Sequence, residues 1–168
     1  MRLRDILLTS LCALAIAATA SAQTTYTTVL SGSNEVPATG SAATGTATVV
    51  LNAAQTQISV SCQFANLGTV YTASHIHGPA PITGNAGVRW GFVGAPAGWI
   101  FTNTNHDGTL SNALFAVVAA DVTNLNNGLM YVNVHSQGFP GGEIRGQLGT
   151  APVPVRSTSW SRVKALYR

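Results

Sequence analysis

The sequence predicts an all-β domain, a Greek-key β-sandwich or barrel of about eight or nine mostly antiparallel strands. Three observations carry this expectation. Apolar and polar residues alternate over short runs, as in Gln57 to Phe64, where Ile58, Val60, Cys62 and Phe64 share one face and Ser59, Ser61 and Gln63 the other. Turn-forming residues separate these runs at close intervals, and helical periodicity is nearly absent between Gln23 and Thr150.

In chain order, the first 22 residues read as a cleaved signal peptide. Met1-Arg-Leu-Arg4 is the charged start, Ile6 to Ala18 is the apolar run, and Ala20-Ser-Ala22 is a small-x-small cleavage site. The run falls short of the roughly 20 apolar residues of a transmembrane helix, and no second one follows. The expected product is exported, periplasmic or extracellular at the cell surface, and begins at Gln23. Cys12 leaves with the signal, so the single remaining Cys62 has no intramolecular partner. It sits on the apolar face of its strand as a core residue, with no cationic neighbour in sequence to activate it.

The formal charge of +3 is unevenly distributed. From Gln23 to Thr150 two cations, Arg89 and Arg145, face four anions, Glu35, Asp107, Asp121 and Glu143, for a net of −2; the tail after Thr150 adds Arg156, Arg162, Lys164 and Arg168. A domain without lysine cannot supply a P-loop, and two arginines do not make a nucleic-acid surface.

The predicted strands begin with Tyr26 to Leu30, Gly45 to Leu51 and Gln57 to Phe64, with loops at Ser31–Pro37 and Asn52–Thr56. A strand then carries His75-Ile-His77 and stops at Gly78-Pro79. Val88, Trp90 and Phe92 alternate with Arg89 and Gly91 inside a glycine-punctuated segment that runs to Trp99. Thr102 to Gly108 reads as a polar loop containing His106, and Ser111 to Ala120 as a strand covered on both faces. Asp121 is placed to cap a short helical turn over Val122–Asn126. The closing hairpin runs from Met130 through His135, across a Gly/Pro loop, to Ile144 and Leu148; one face is apolar, the other carries Asn133, His135, Glu143 and Arg145 on a solvent-accessible side. Ala151-Pro-Val-Pro-Val155 stiffens the exit, and the last residues, with Trp160, Val163 and Leu166 at helical spacing, form a basic amphipathic tail. That tail suits contact with sorting machinery or an anionic surface, or it is simply unstructured.

Residues i and i+2 of a strand share a face, so His75 and His77 project together, and His135 is the natural third ligand for zinc or copper, with Glu143 nearby and His106 further off. The same histidines equally suit a structural hydrogen-bonded network with Asn133, in which Glu143 and Arg145 form an ordinary surface pair. Trp90 and Trp99 are core or edge-covering residues, or, if exposed together, a contact platform for a partner protein or surface polymer.

Three stretches carry a family resemblance. Leu30-Ser-Gly-Ser-Asn-Glu-Val-Pro37, Ser74-His-Ile-His-Gly-Pro-Ala80 and Tyr131-Val-Asn-Val-His135 with Pro140-Gly-Gly-Glu-Ile-Arg-Gly-Gln-Leu148 resemble the opening, central and closing motifs of chordin-type (CHRD) domains, in a bacterial-type secreted single-domain form. The resemblance implies an extracellular all-β module and says little about chemistry. At motif level alone, His-x-His is similar to paired ligands of copper/zinc superoxide dismutase. Two functions stay open: a secreted binding or structural module without catalysis, and a metal-binding domain using the histidines. An enzyme ranks behind both, since no activated nucleophile or paired carboxylates stand out.

Overall fold

The computed structural model describes residues 22–92 and 98–150. All of the expected signal peptide but Ala22, the tail after Thr150 and part of the glycine-rich segment lie outside them. The elements are β1 (Thr24–Ser31), β2 (Thr44–Leu51), β3 (Gln57–Ala65), β4 (Tyr71–His77), β5 (Val88–Gly91), β6 (Ile100–Thr102), β7 (Asp107–Ala116), α1 (Ala119–Asn126), β8 (Tyr131–Ser136), β9 (Phe139–Gln147) and β10 (Gly149–Thr150). All strand pairings are antiparallel within one curled sheet of order β5-β4-β8-β9-β1-β2-β3-β7-β6, and β10 pairs with β1. The all-β class agrees with the sequence-based expectation, and nine strands run along the sheet as expected, with the two-residue β10 added beside β1.

Alternation decides what faces inward. Tyr26 and Leu30, Val49 and Leu51, and Ile58, Val60, Cys62 and Phe64 line the core from β1 to β3; Ile76, Val132, Val134 and Ile144 line it from the other half of the sheet. Each fully buried aliphatic side chain contributes about 1.5–3 kcal/mol through the water-exposed area it removes. Curling brings the two ends of the sheet together. Trp90 Nε1 of β5 donates to Ala116 O at the end of β7 at 3.3 Å, and the ring of Tyr71 on β4 stacks on Phe64 of β3 and packs against Phe101 of β6.

Four local expectations are corrected. The apolar run Ala113–Ala120 is not one strand covered on both faces: β7 ends at Ala116, its Leu114 is exposed, and Ala119 and Ala120 open α1. Asp121 is the reason, acting from the helix's third position rather than as the capping residue. Its Oδ2 accepts the Val118 N–H at 2.9 Å, and Arg89 grips the same carboxylate at 2.6 and 2.7 Å. The polar segment after Thr102 is not all loop, since Asp107 and Gly108 already pair with β6 and β3. The Gly/Pro stretch of the closing hairpin is mostly strand: β9 begins at Phe139 opposite Ser136, and the register shift between there and the Val134–Ile144 pair lets β9 bulge at Pro140–Glu143.

The fourth correction concerns the polar face of the closing hairpin, which is not solvent-accessible. Every residue of β8 is buried. The loop from Ser31 to Ala43 covers this face through Glu35, Thr39 and Ser41, and the β4–β5 loop covers it through Ala80, Pro81, Asn85 and Ala86.

Candidate metal centre

The β4-β8-β9 part of the sheet sets out its outward face in rows. His77 pairs in register with Tyr131 and then Gln147; His75 pairs with Asn133 and then Arg145; Ala73 pairs with His135. Directly opposed residues share a face, so the three histidines of the sequence analysis converge. One ligating nitrogen from each lies within 4.8 Å of the others.

Backbone carbonyls fix two of the rings. His77 Nδ1 lies 3.0 Å from Ala86 O, and His135 Nδ1 lies 3.0 Å from Pro140 O, so each Nδ1–H donates and each Nε2 keeps its lone pair. The bulge in β9 is what aims the Pro140 carbonyl at His135. His75 Nδ1 then donates to His135 Nε2 at 3.0 Å. His77 stacks on Tyr131, with ring centres 4.9 Å apart, and the Tyr131 hydroxyl is tied to the backbone of Ala86. The Nε2 of His77 is buried and has no hydrogen-bond partner. A buried lone pair without a partner is costly, and in this position it faces a cluster of other nitrogens.

Burial holds all three rings neutral. It lowers the pKa of His77 and of His135, and together with the neighbouring His135 and His77 it lowers that of His75 to about 4. Neutral imidazoles whose far nitrogens donate to main-chain carbonyls have the ligand form and outer-shell support that zinc and copper sites use.

The supporting residues do something different from the sequence-based expectation. Glu143 and Arg145 are both fully buried and do not pair with each other. The Glu143 carboxylate accepts from Ser41 Oγ at 2.6 Å, from Gly68 N–H at 2.7 Å and from Ser136 Oγ, which anchors the covering loop to the β8–β9 hairpin. Arg145 donates to Asn85 Oδ1 at 2.9 Å, Gln147 Oε1 at 3.2 Å and Pro81 O at 3.4 Å, and its guanidinium lies 3.5 Å from the centre of the Tyr131 ring. Asn133 Nδ2 donates to Glu35 Oε1 at 2.6 Å. Burial pushes the Glu35 carboxyl up to about 7, against the opposing pull of Arg145 and of the Asn133 hydrogen bond.

Glu35, Tyr131, Asn85 and Gln147 belong to this network and were not singled out from the sequence. Glu35 had a signal, its place in the Ser-Asn-Glu-Val-Pro motif, whereas Asn85 had none. His106 stands apart: its Nδ1 bonds Leu67 O at 2.5 Å. The two tryptophans do not form an exposed platform. Trp90 is 7% exposed and packs near Phe115, while Trp99 is half-buried among Phe64, Tyr71 and Phe101.

No curated protein and no solved structure matches the chain. The family model described as CHRD domain matches residues 26–148, a span that begins in β1, ends just past β9 and includes all three histidines and both covering loops. The chain therefore belongs to the CHRD domain family.

Proposed function

We propose that the protein is an exported, non-catalytic binding module whose CHRD domain holds one zinc or copper ion on His75, His77 and His135. The observation that carries this is the unpartnered, buried Nε2 of His77 beside the nitrogens of His75 and His135. A metal ion would satisfy that nitrogen directly. Zinc–nitrogen bonds of about 2.0–2.1 Å place tetrahedral ligands about 3.4 Å apart, so the cluster needs a small contraction and the transfer of one proton from His75 Nδ1 to its other nitrogen. Residues 1–22 would direct export, 23–150 form the module, and 151–168 serve as a basic tail toward sorting machinery or an anionic surface. Contact with a partner protein or surface polymer would then fall to the loops and outer strand faces, since the tryptophans face inward.

The test is calorimetric titration of the purified protein with zinc and with copper, with melting curves alongside. At free metal one hundred times the dissociation constant, binding to the folded state alone adds about 2.7 kcal/mol, or about 8–13 °C for a domain of this size. His77→Gln and His135→Gln should abolish both signals. No heat and no shift with the wild type would refute the metal reading.

A further inference from the structure

We propose that an ion held by the three histidines keeps one coordination position open to the outside, and that this position takes a small monovalent anion. The inference rests on the metal-binding function above. It deepens that function from holding an ion to the binding of an exogenous ligand.

The donor set comes first. Every other side chain in residues 23–168 able to act as a strong zinc or copper ligand is engaged elsewhere. Cys62 is buried in the core, where desolvation pushes its thiol up to about 12. His106 is bound to Leu67, Asp107 accepts the Asn66 N–H at 2.7 Å, and Asp121 is held by Arg89. Glu143 accepts from three donors of its own, and Glu35 is turned onto Asn133. Residues 93–97 and 151–168 contain no His, Cys, Asp or Glu. Structural zinc sites are closed by four protein ligands; a site with three leaves the fourth position to a molecule from solution.

Charge then selects the class of that molecule. Three neutral imidazoles leave the full charge of a divalent ion uncompensated. A fixed cation adds to it: the Arg145 guanidinium lies over the Tyr131 ring, and Tyr131 stacks on His77. A fourth ligand that is itself negative relieves this excess, whereas a neutral donor does not.

Access is provided on one side. His77 and His135 are buried, but His75 is only partly so. The residue opposite His75 on β5 is Gly91, and a Cβ built there would lie 3.6 Å from His75 Cδ2. Among the described residues, the absent side chain leaves His75 uncovered from the β5 edge, while the Ala86 and Pro140 carbonyls close the cluster elsewhere.

The experiment uses the purified wild-type protein loaded with cobalt(II), whose visible bands report coordination number and ligand type, and titrates it with azide. A saturable, single-site change in the cobalt bands is expected. Gly91→Val, which places a branched side chain beside His75, should weaken the azide affinity at least tenfold while the cobalt bands without azide stay as in the wild type. Cobalt bands that form with the wild type and are lost in His135→Gln, but do not respond to azide, would overturn the open position and leave the metal site standing. Absence of cobalt bands altogether would overturn both.

Discussion

Arg145 is among the largest fully buried side chains of the molecule, 1% exposed, and its substitution by methionine tests whether the buried polar face is a structural scaffold. Methionine keeps the length and much of the volume, so the change isolates the polar interactions. Three acceptors lose their donor: Asn85 Oδ1, Gln147 Oε1 and Pro81 O. Hydrogen bonds from a charged donor are worth about 1.5–3 kcal/mol each, the 2.9 Å contact to Asn85 most and the 3.4 Å contact to Pro81 least. The stacking of the guanidinium on Tyr131 adds about 0.5–2 kcal/mol. Against these stands the desolvation of the guanidinium, which methionine no longer suffers and which amounts to several kcal/mol. The balance expected for removing one member of a buried, satisfied polar group is a loss of about 3–4 kcal/mol. Asn85 also donates to Val36 O at 2.7 Å, so both covering loops loosen together. Urea denaturation at pH 7 measures the loss directly from the midpoint at constant slope. Arg145→Lys, which keeps the charge but not the planar fork, should fall between the two. A methionine variant within about 1 kcal/mol of wild type would refute the scaffold, because surface polar pairs cost no more than that.

Three further outcomes follow from the same geometry. In the metal-free protein, His75 titrates near 4 when folded and near 6.5 when unfolded, so the unfolded chain takes up the proton first as pH falls. Wild type should lose stability relative to His75→Gln between pH 6.5 and 4 and differ from it by a constant amount above 6.5. Solvent screening of the half-buried ring reduces the effect to about 1–2 kcal/mol, readable from urea midpoints across that range; parallel curves would show that the ring is not desolvated. Gly142→Ala should cost about 2–4 kcal/mol in a thermal melt, because its φ of +128° disfavours any side chain and a Cβ there would come 2.6 Å from Glu35 Oε1 and against the Asn133 amide. Its neighbour Gly141, with nothing within 4 Å, should accept alanine within about 0.5 kcal/mol.

Much of the fold was legible because strand periodicity is local. Ile58, Val60, Cys62 and Phe64 alternate with polar residues, and the core takes the first set; the same rule put His75 and His77 on one side and Ile76 on the other. Legibility failed where a distant group decided the outcome. The run Ala113–Ala120 reads as one strand until Asp121, held by Arg89, turns its end into a helix. Trp99 reads first as a core or edge-covering residue and second as a platform, and its packing against Phe64 and Phe101 decides for the first.

The sequence by itself determined the β class, the inward set of side chains and the shared side of His75 and His77, since each depends only on which residues stand two apart along a strand; the family showed as a resemblance of whole motifs. Tertiary structure alone decided that β4 lies beside β8, and so brought His135 to His75 and His77 across sixty residues of chain. It alone decided that loops from two other parts of the chain seal the polar face, so that Glu143 and Arg145 are buried and apart instead of exposed and paired. The physical reason is that burial of a polar face depends on what covers it, and the cover here comes from residues 32–43 and 78–87, whose own sequence carries no periodic signal.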